Sequence, residues 1–201
     1  MTVAVLFARR DSVYKTLPDV DVWDEDRDAL KWTGGYPVVA HPPCRLWASL
    51  RHKSKADPSE KDLARFAVKV VRRDGGVLEH PQQSTLWLES GIQWRKSYGD
   101  FLVDCYDLWG GWYLPLHQHW FGHRAAKPTG LYIVGIRRND IPAMPLRLDE
   151  PTHTIGLWSG RDKANCRPSV SKREFDSTPL AFALWLVEVA KRCSPPSSPK
   201  P

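Results

Sequence analysis

The chain has 201 residues, of which 42% are hydrophobic and 26% charged, with a formal net charge of +6. This length predicts one domain with a full core, and the moderate basic excess is compatible with a polyanionic partner. No apolar run reaches the ~18 residues of a membrane span and no secretory signal opens the chain, so we expect no membrane partner. The cysteines form no CxxC pair, which fits a reducing compartment.

Two β-rich runs open the chain. Residues 2–8 (TVAVLFA) predict a first strand, and residues 20–24 (VDVWD) predict a second, shorter one. The second run ends in acids, and an acid at that point often binds a ribose hydroxyl in nucleotide-binding α/β folds. Asp24 is therefore a candidate for such a contact, and a solvated loop acid is the alternative.

A cysteine follows the third run directly. Residues 38–44 (VVAHPPC) predict a short buried strand and then a turn in which consecutive prolines fix the φ angles. The Cys44 thiol is thus held stiffly at the end of a strand, either as a nucleophile or as a buried structural cysteine. A nucleophilic thiol needs a lowered pKa, for which His41 or Arg45 would supply the positive charge.

Residues 56–73 predict the best-supported helix. Asp57 is the predicted N-cap, Pro58 takes the first helical position, and Glu60 completes a capping box. Apolar residues recur at helical spacing along one face, and a glycine pair ends the helix. The pattern therefore predicts an amphipathic helix that packs on a sheet.

A second strand end follows that helix. Val77-Leu78 predicts a short strand that leads directly into Glu79-His80-Pro81. Strand, helix and strand with short links form a βαβ unit, so the two strands should be parallel neighbours. Cys44 and Glu79 would then lie together at the carboxyl ends of adjacent strands, where open α/β sheets place their sites.

The second half of the chain is less regular. The predicted elements are a short helix from residue 82 to 88, a loop-rich stretch over 90–111, a strand over 112–120 that Pro115 interrupts or places at an edge, a strand over 131–136, an irregular lobe over 137–175, a buried helix from Pro179 to about residue 192, and a disordered tail over 194–201. Residues 1–193 are therefore predicted to form a single α/β domain.

Taken in chain order, these features resemble the cytosine-C5 DNA methyltransferases. Pro42-Pro43-Cys44 is similar to the Pro-Pro-Cys nucleophile loop of that family, and Glu79-His80-Pro81 to its Glu-Asn-Val element. Residues 121–127 (FGHRAAK), before a strand, are similar to its Gln-x-Arg-x-Arg element. Residues 5–8 (VLFA) are similar to its opening Leu-Phe-x-Gly segment. Such compact, diverged versions look like bacteriophage or prophage proteins, and this resemblance implies a location in the cytoplasm of a bacterial host cell.

The resemblance implies a Rossmann-like, mostly parallel sheet of the S-adenosylmethionine-dependent methyltransferase type, with a small irregular lobe. It implies that Cys44 is the nucleophile and Glu79 the proton donor, with Arg124 or Lys127 as the cation near the ring carbonyl. The implied cofactor is S-adenosyl-L-methionine, at Phe7, Ala8, Asp24 and Pro42. The implied substrate contacts are Pro43, Arg45, His80 and His123. The implied partner is nucleic acid, with DNA favoured over RNA, and no metal is expected.

The chemistry of such a site needs a thiol and an acid on opposite sides of one ring. C5 of a pyrimidine is a poor nucleophile, and a thiolate that adds at C6 turns C4–C5 into an enamine-like system that attacks a methyl group. The addition pushes negative charge toward N3, where an acid must protonate it or donate a hydrogen bond. A cation near the ring carbonyl stabilises the same charge.

Other interpretations fit the same residues. The glycine loop that follows the first strand of the family is replaced by residues 8–12 (ARRDS), and a large recognition domain is absent. These departures favour a non-catalytic nucleic-acid-binding or anti-defence protein on a methyltransferase scaffold, or a pyrimidine-modifying enzyme with a nucleotide substrate or another one-carbon donor. A zinc enzyme is a further alternative, with ligands drawn from His41, Cys44, His80, His117, His119 and His123.

Overall fold

The computed structural model describes residues 1–92, 106–147, 149–155 and 167–196. Its strands are β1 Val3–Ala8, β2 Val20–Asp24, β3 Val38–Ala40, β4 Gly76–Pro81, β5 Trp112–His117 and β6 Pro128–Val134. They form a six-stranded sheet in the order β2-β1-β3-β4-β6-β5. Strands β1 to β4 are parallel to one another, and β6 is antiparallel to both β4 and β5. The predicted α/β class with a mostly parallel sheet is confirmed.

Helices cover both faces of the sheet. Among the described residues, the α-helices are α1 Lys61–Asp74, α2 Leu86–Glu89, α3 Lys172–Asp176 and α4 Leu180–Lys191. Because side chains alternate along a strand, Ala4 and Leu6 pack under α1, whereas Val3 and Val5 pack under α4. Within the described part of the chain, no helix is long and apolar enough to cross a membrane.

The predicted βαβ unit of β3, α1 and β4 is present. Val38 pairs with Gly76 in parallel register, so both strands end at the same edge of the sheet. Asp57 caps the 3-10 turn Pro58–Glu60 that leads into α1, rather than α1 itself, and its carboxylate accepts a hydrogen bond from the Ser59 backbone N–H at 2.9 Å. The predicted capping box is wrong, because the Glu60 carboxylate binds the Arg45 guanidinium instead.

The edge placement predicted for Pro115 is confirmed. Pro115 lies in β5, the edge strand, opposite Gly130 of β6. Proline has no backbone N–H to donate, and an edge strand tolerates this because it has a neighbouring strand on one side only. The strand is shorter than predicted, since Gln118–Phe121 form a 3-10 turn. This turn aims the Gln118 side chain at Glu79, near the carboxyl end of β4.

The C-terminal part of the chain differs from its prediction in detail. Helix α4 is buried on one side only, and Leu180 and Leu184 remain exposed. In the irregular lobe, residue 148 and residues 156–166 lie outside the described residues, as do Cys105 and most of the predicted loop before β5. Ser194, the first residue of the predicted tail, donates its backbone N–H to Gly135 at 2.9 Å, and residues 197–201 are not among those described.

Gly76 controls the approach of β4 to β3, and its substitution tests the fold. Its φ is +124°, and a Cβ there would stand 2.0 Å from the Val38 carbonyl oxygen. We expect Gly76→Ala to lower the free energy of unfolding by about 3 kcal/mol or more, through backbone strain and the clash. Denaturant unfolding measures this change.

Gly35→Ala is the matched control for that substitution. Gly35 has a similar φ of +114°, but no heavy atom lies within 4 Å of the place that a methyl group would take there. The free energy of unfolding of Gly35→Ala should fall by only about 1 kcal/mol, because the positive φ is then the single source of strain. Equal losses in the two variants would contradict the steric role assigned to Gly76.

Candidate active site

A cavity of about 1000 Å³ opens at the carboxyl ends of β1, β3 and β4. The loops after these strands form its floor, and α3 with the residues that follow it forms another wall. Most residues predicted from sequence line this cavity: Phe7, Ala8, Pro42, Pro43, Cys44, Arg45, Glu79, His80 and Lys127. Such a cavity is large enough for a small-molecule ligand together with a flat heterocycle.

Two lining residues have unusual backbone conformations. Phe7 has a φ of 60° at the end of β1, and Lys127 has a φ of 44° just before β6. Non-glycine residues in this region carry strain, and such strain concentrates at ligand sites. The strain at Phe7 coincides with an irregularity in the register between β1 and β2 at Leu6 and Ala8. Both strained positions therefore belong to the cavity wall.

Cys44 is partly buried and begins a turn that backbone hydrogen bonds stabilise. Its carbonyl oxygen accepts hydrogen bonds from Trp47 and Ala48, both at 2.9 Å. Burial, reinforced by the negative charge of Glu79, raises the pKa of the thiol to about 11. Lys127 acts in the opposite direction but does not outweigh these effects. The thiol is therefore protonated at neutral pH.

The positive charge predicted beside the thiol is directed elsewhere. Arg45 lies at the cavity rim, where its Nε donates to the Glu60 carboxylate at 2.7 Å. His41 donates and accepts hydrogen bonds within the cavity wall, with Glu79 and Tyr14 as its partners. The prediction that these residues lower the pKa of Cys44 is wrong, because each is held by a carboxylate of its own.

Glu79 is held through both of its carboxylate oxygens. Oε2 lies 3.2 Å from His41 Nδ1, and Oε1 accepts a hydrogen bond from Gln118 Nε2, also at 3.2 Å. Burial alone would raise its pKa, but the hydrogen bond and electrostatic attraction of His41, together with the charge of Lys127, outweigh burial and lower it. Glu79 is therefore a carboxylate at neutral pH. In the resting protein it lacks the proton that the predicted role of proton donor requires.

Lys127 brings a cation to the same cavity. Its Nζ donates to the Ser177 carbonyl oxygen at 3.0 Å. Burial lowers its pKa, while the nearby charges of Glu79 and Asp176 act against that shift. Of the two cations predicted near the ring, Lys127 is thus the one that faces Cys44 and Glu79.

His80 is a neutral member of the cavity wall. It is buried, and its Nδ1 lies 2.8 Å from the Ser84 hydroxyl. Burial lowers its pKa to about 4, so it carries no charge at neutral pH. Its ring also meets Trp87 edge to face at 5.8 Å between centroids. It can therefore donate or accept a hydrogen bond but cannot neutralise an anion.

Asp24 lies outside the cavity. Its carboxylate accepts hydrogen bonds from the backbone of Asp26 and Arg27 and contacts the Lys15 ammonium at 2.6 Å. With its carboxylate engaged in this way, Asp24 holds the turn after β2. The structure therefore does not bring it to the ligand position that the sequence suggested.

Arg124 and His123 also lie outside the cavity. Arg124 donates from Nε to Glu174 at 2.8 Å and contacts His153 Nε2 at 2.9 Å. His123 is buried, and its Nδ1 accepts the Ala125 backbone N–H at 3.0 Å. These contacts link the loop before β6 to the irregular lobe and to α3.

The site also includes residues that no sequence pattern singled out. Tyr14, Gln118 and Asp176 come from three separate segments, and their positions depend on long-range packing. His41 was selected as a source of charge but not as a partner of Glu79. Among residues 1–92, 106–147, 149–155 and 167–196, no group of three or more His, Cys, Asp or Glu side chains is placed to hold a metal.

Comparison with the models of known protein families gives no match, and comparison with curated protein sequences gives none either.

The raised pKa of Cys44 can be measured by alkylation. We expect the rate of Cys44 modification by iodoacetamide to rise steadily with pH up to about pH 10, without a plateau, because only the thiolate reacts. Glu79→Gln should move the curve to lower pH, since it removes a negative charge beside the sulfur. Peptide mass spectrometry separates Cys44 from the other cysteines. A plateau below about pH 8 would contradict the buried, neutral thiol.

Proposed function

We propose that this protein is a pyrimidine-C5 methyltransferase-like enzyme that acts on cytosine in nucleic acid through Cys44 and Glu79. The observation that carries the proposal is that these two residues line one cavity, at the carboxyl ends of adjacent parallel strands. Lys127 adds a cation to the same cavity. The four parallel strands β1 to β4 are compatible with the Rossmann-like sheet that the resemblance implies, and β6 runs antiparallel between β4 and the edge strand β5.

The resting protonation states define how addition would begin. The Cys44 S–H proton passes to the Glu79 carboxylate, directly or through one water molecule, and the electron pair left on sulfur forms the bond to C6 of the ring. The C5–C6 π pair moves to C4–C5, the C4–N3 π pair moves to N3, and Glu79 delivers the proton to N3. Atoms and charge balance without an oxidant or reductant, and C5 becomes the nucleophile. Glu79 thus acts first as a base and then as an acid.

The proposed methyl donor, S-adenosylmethionine, fits the cavity in part. Phe7, Ala8 and Pro42 line it, and its volume of about 1000 Å³ leaves room for a cofactor beside a base. Asp24 does not face it, and Ser12 uses its hydroxyl to cap the 3-10 turn Val13–Thr16. When bound, the cofactor would supply the methyl group. The residues of this chain would supply the wall that orients it, without the ribose-binding acid expected at β2.

The charge of the cavity mouth supports a phosphate-bearing substrate. The lining cations are Arg9, Arg45, Lys53, Lys127, Lys172 and Arg173, and the lining carboxylates are Asp11, Glu79 and Asp176. Arg51, in the exposed turn Arg51–Lys53, adds one further positive charge beside Leu50 at the rim. A cationic rim around a cavity for a flat ring suits a nucleic-acid strand whose base enters the cavity. DNA remains the favoured polymer by the resemblance.

A mechanism-based substrate tests this proposal directly. With S-adenosylmethionine present, we expect the wild-type protein to form a stable covalent adduct with an oligonucleotide that contains 5-fluorocytosine, and Cys44→Ala to form none. The adduct persists after methyl transfer because C5 then carries fluorine in place of the proton that a base would remove. Glu79→Gln should slow adduct formation by about a hundredfold or more, since the group that carries the proton from Cys44 to N3 is lost. Denaturing gels and intact-mass spectrometry detect the adduct.

Arg137→Gln is a matched surface control for that experiment, because Arg137 lies outside the cavity and pairs with Asp140 at 2.7 Å. It should form the adduct at the wild-type rate. Full turnover by Cys44→Ala would show that the nucleophile is assigned wrongly.

A second candidate function is a non-catalytic nucleic-acid-binding protein on the same scaffold. The neutral thiol and the engaged carboxylate of Asp24 favour it. Calorimetric titration with S-adenosylmethionine separates the two. The enzyme should bind the cofactor in the micromolar range, with about a tenfold or greater loss in Phe7→Ala because an aromatic wall is removed. Absence of cofactor binding together with intact binding of DNA would favour the binding protein.

A further inference from the structure

Three polar side chains form a continuous chain of hydrogen bonds behind Cys44. The Tyr14 hydroxyl lies 2.9 Å from His41 Nε2, and His41 Nδ1 lies 3.2 Å from Glu79 Oε2. The rings of Tyr14 and His41 also pack at 5.4 Å between centroids. The three residues come from the turn after β1, the residue after β3 and the end of β4. This chain therefore links the three strand ends that form the cavity floor.

The direction of the hydrogen bonds follows from the chemistry of the end groups. Tyr14 is fully buried, and burial raises its pKa well above its ordinary value, so its oxygen keeps the proton. That O–H donates to His41 Nε2, which leaves the ring proton on Nδ1 to donate to the Glu79 carboxylate. With this tautomer, each polar atom of the chain has a complementary partner. The His41 ring is fixed by both of its nitrogens.

We propose that Tyr14 and His41 form a relay that orients Glu79 and keeps it ready to accept the Cys44 proton. His41 is then a positioning residue, because it acts through Glu79 rather than on the ring. This inference rests on the proposed function, in which Glu79 moves a proton from sulfur to N3. The proposal also explains why His41 directly precedes the two prolines. The rigid turn fixes the position of His41, the partner of Glu79, together with that of Cys44.

The relay works within a defined set of neighbours. Gln118 donates to the other oxygen of Glu79, so both oxygens have fixed partners. The other titratable groups that interact with Glu79 are Cys44, His80 and Lys127, and the cavity is also lined by the charged residues Arg9, Asp11, Arg45, Lys53, Lys172, Arg173 and Asp176. Of these, only Lys127 adds positive charge near Glu79, and its Nζ is bound to Ser177. Without His41, burial would dominate and Glu79 would hold a proton more tightly.

The titration of Glu79 tests the relay without any substrate. Carbon-13 NMR of protein labelled at the glutamate carboxyl carbon follows each carboxylate with pH, and Glu79→Gln identifies the resonance of Glu79. We expect His41→Phe to raise the Glu79 midpoint by about one to two pH units. Tyr14→Phe, which removes one oxygen atom from the protein, should raise it less. His52→Phe is the matched control at an exposed histidine outside the cavity and should leave it unchanged.

The adduct reaction then links the relay to chemistry. His41→Phe should slow adduct formation with the 5-fluorocytosine oligonucleotide by about tenfold and move its pH profile upward, because Glu79 is misplaced and protonated. His41→Gln keeps a donor for Glu79 and should recover part of the rate.

The outcomes distinguish the relay from the proposed function. An unchanged Glu79 midpoint in both His41→Phe and Tyr14→Phe would overturn the relay, even if the wild-type protein forms the adduct. No adduct with the wild-type protein, together with a shifted midpoint in His41→Phe, would retain the hydrogen-bonded control of Glu79 and overturn the proposed function.

Discussion

The candidate site depends on the parallel pairing of the three-residue strand β3 with β4. Val38 to Ala40 pair with Gly76 to Leu78 in register, and this pairing alone determines that the turn carrying Cys44 and the carboxylate of Glu79 reach the same edge. A parallel pair needs a crossover, and α1 supplies it with a buried apolar face. The amphipathic helix is therefore as necessary to the site as the residues that line it.

The cavity holds its acid and its nucleophile in the opposite protonation states from those that addition to a ring requires. The thiol is neutral because it is buried beside an anion, and the carboxylate is ionised because hydrogen bonds and cations stabilise it. One proton separates the resting state from the reactive one. Moving it between two neighbouring groups leaves the total charge of the cavity unchanged, which avoids the high cost of creating charge in a buried place.

The sequence predicted local structure and strand order along the chain well, since periodicity and end signals are local. The strands through β4, helix α1, and the edge position of Pro115 all follow from patterns within a few residues, as does the Asp57 cap of the 3-10 turn Pro58–Glu60 that leads into α1. The common cavity of Cys44 and Glu79 also followed, because a βαβ unit has only one common geometry.

Contacts between distant segments were not predictable in this way. His41 meets Tyr14 across 27 residues and Glu79 across 38, and no local pattern encodes either contact. Glu60 was expected to cap its helix, yet the planar guanidinium of Arg45 offers a stronger, bidentate partner. Local hydrogen bonds and ion pairs likewise hold Asp24, His123 and Arg124 outside the cavity. Each has a chemically suitable side chain, but each is bound within a turn or to a neighbouring element.

The anchoring of Ser194 has a practical consequence for handling the protein. Its backbone N–H donates to the Gly135 carbonyl oxygen, and its own carbonyl oxygen lies close to Gly75, at the amino end of β4, whereas the cavity opens at the carboxyl end of that strand. A tether attached through this part of the chain would leave the cationic rim facing away from an immobilising surface. Long polymers presented to a protein fixed in that orientation would meet an unobstructed entrance.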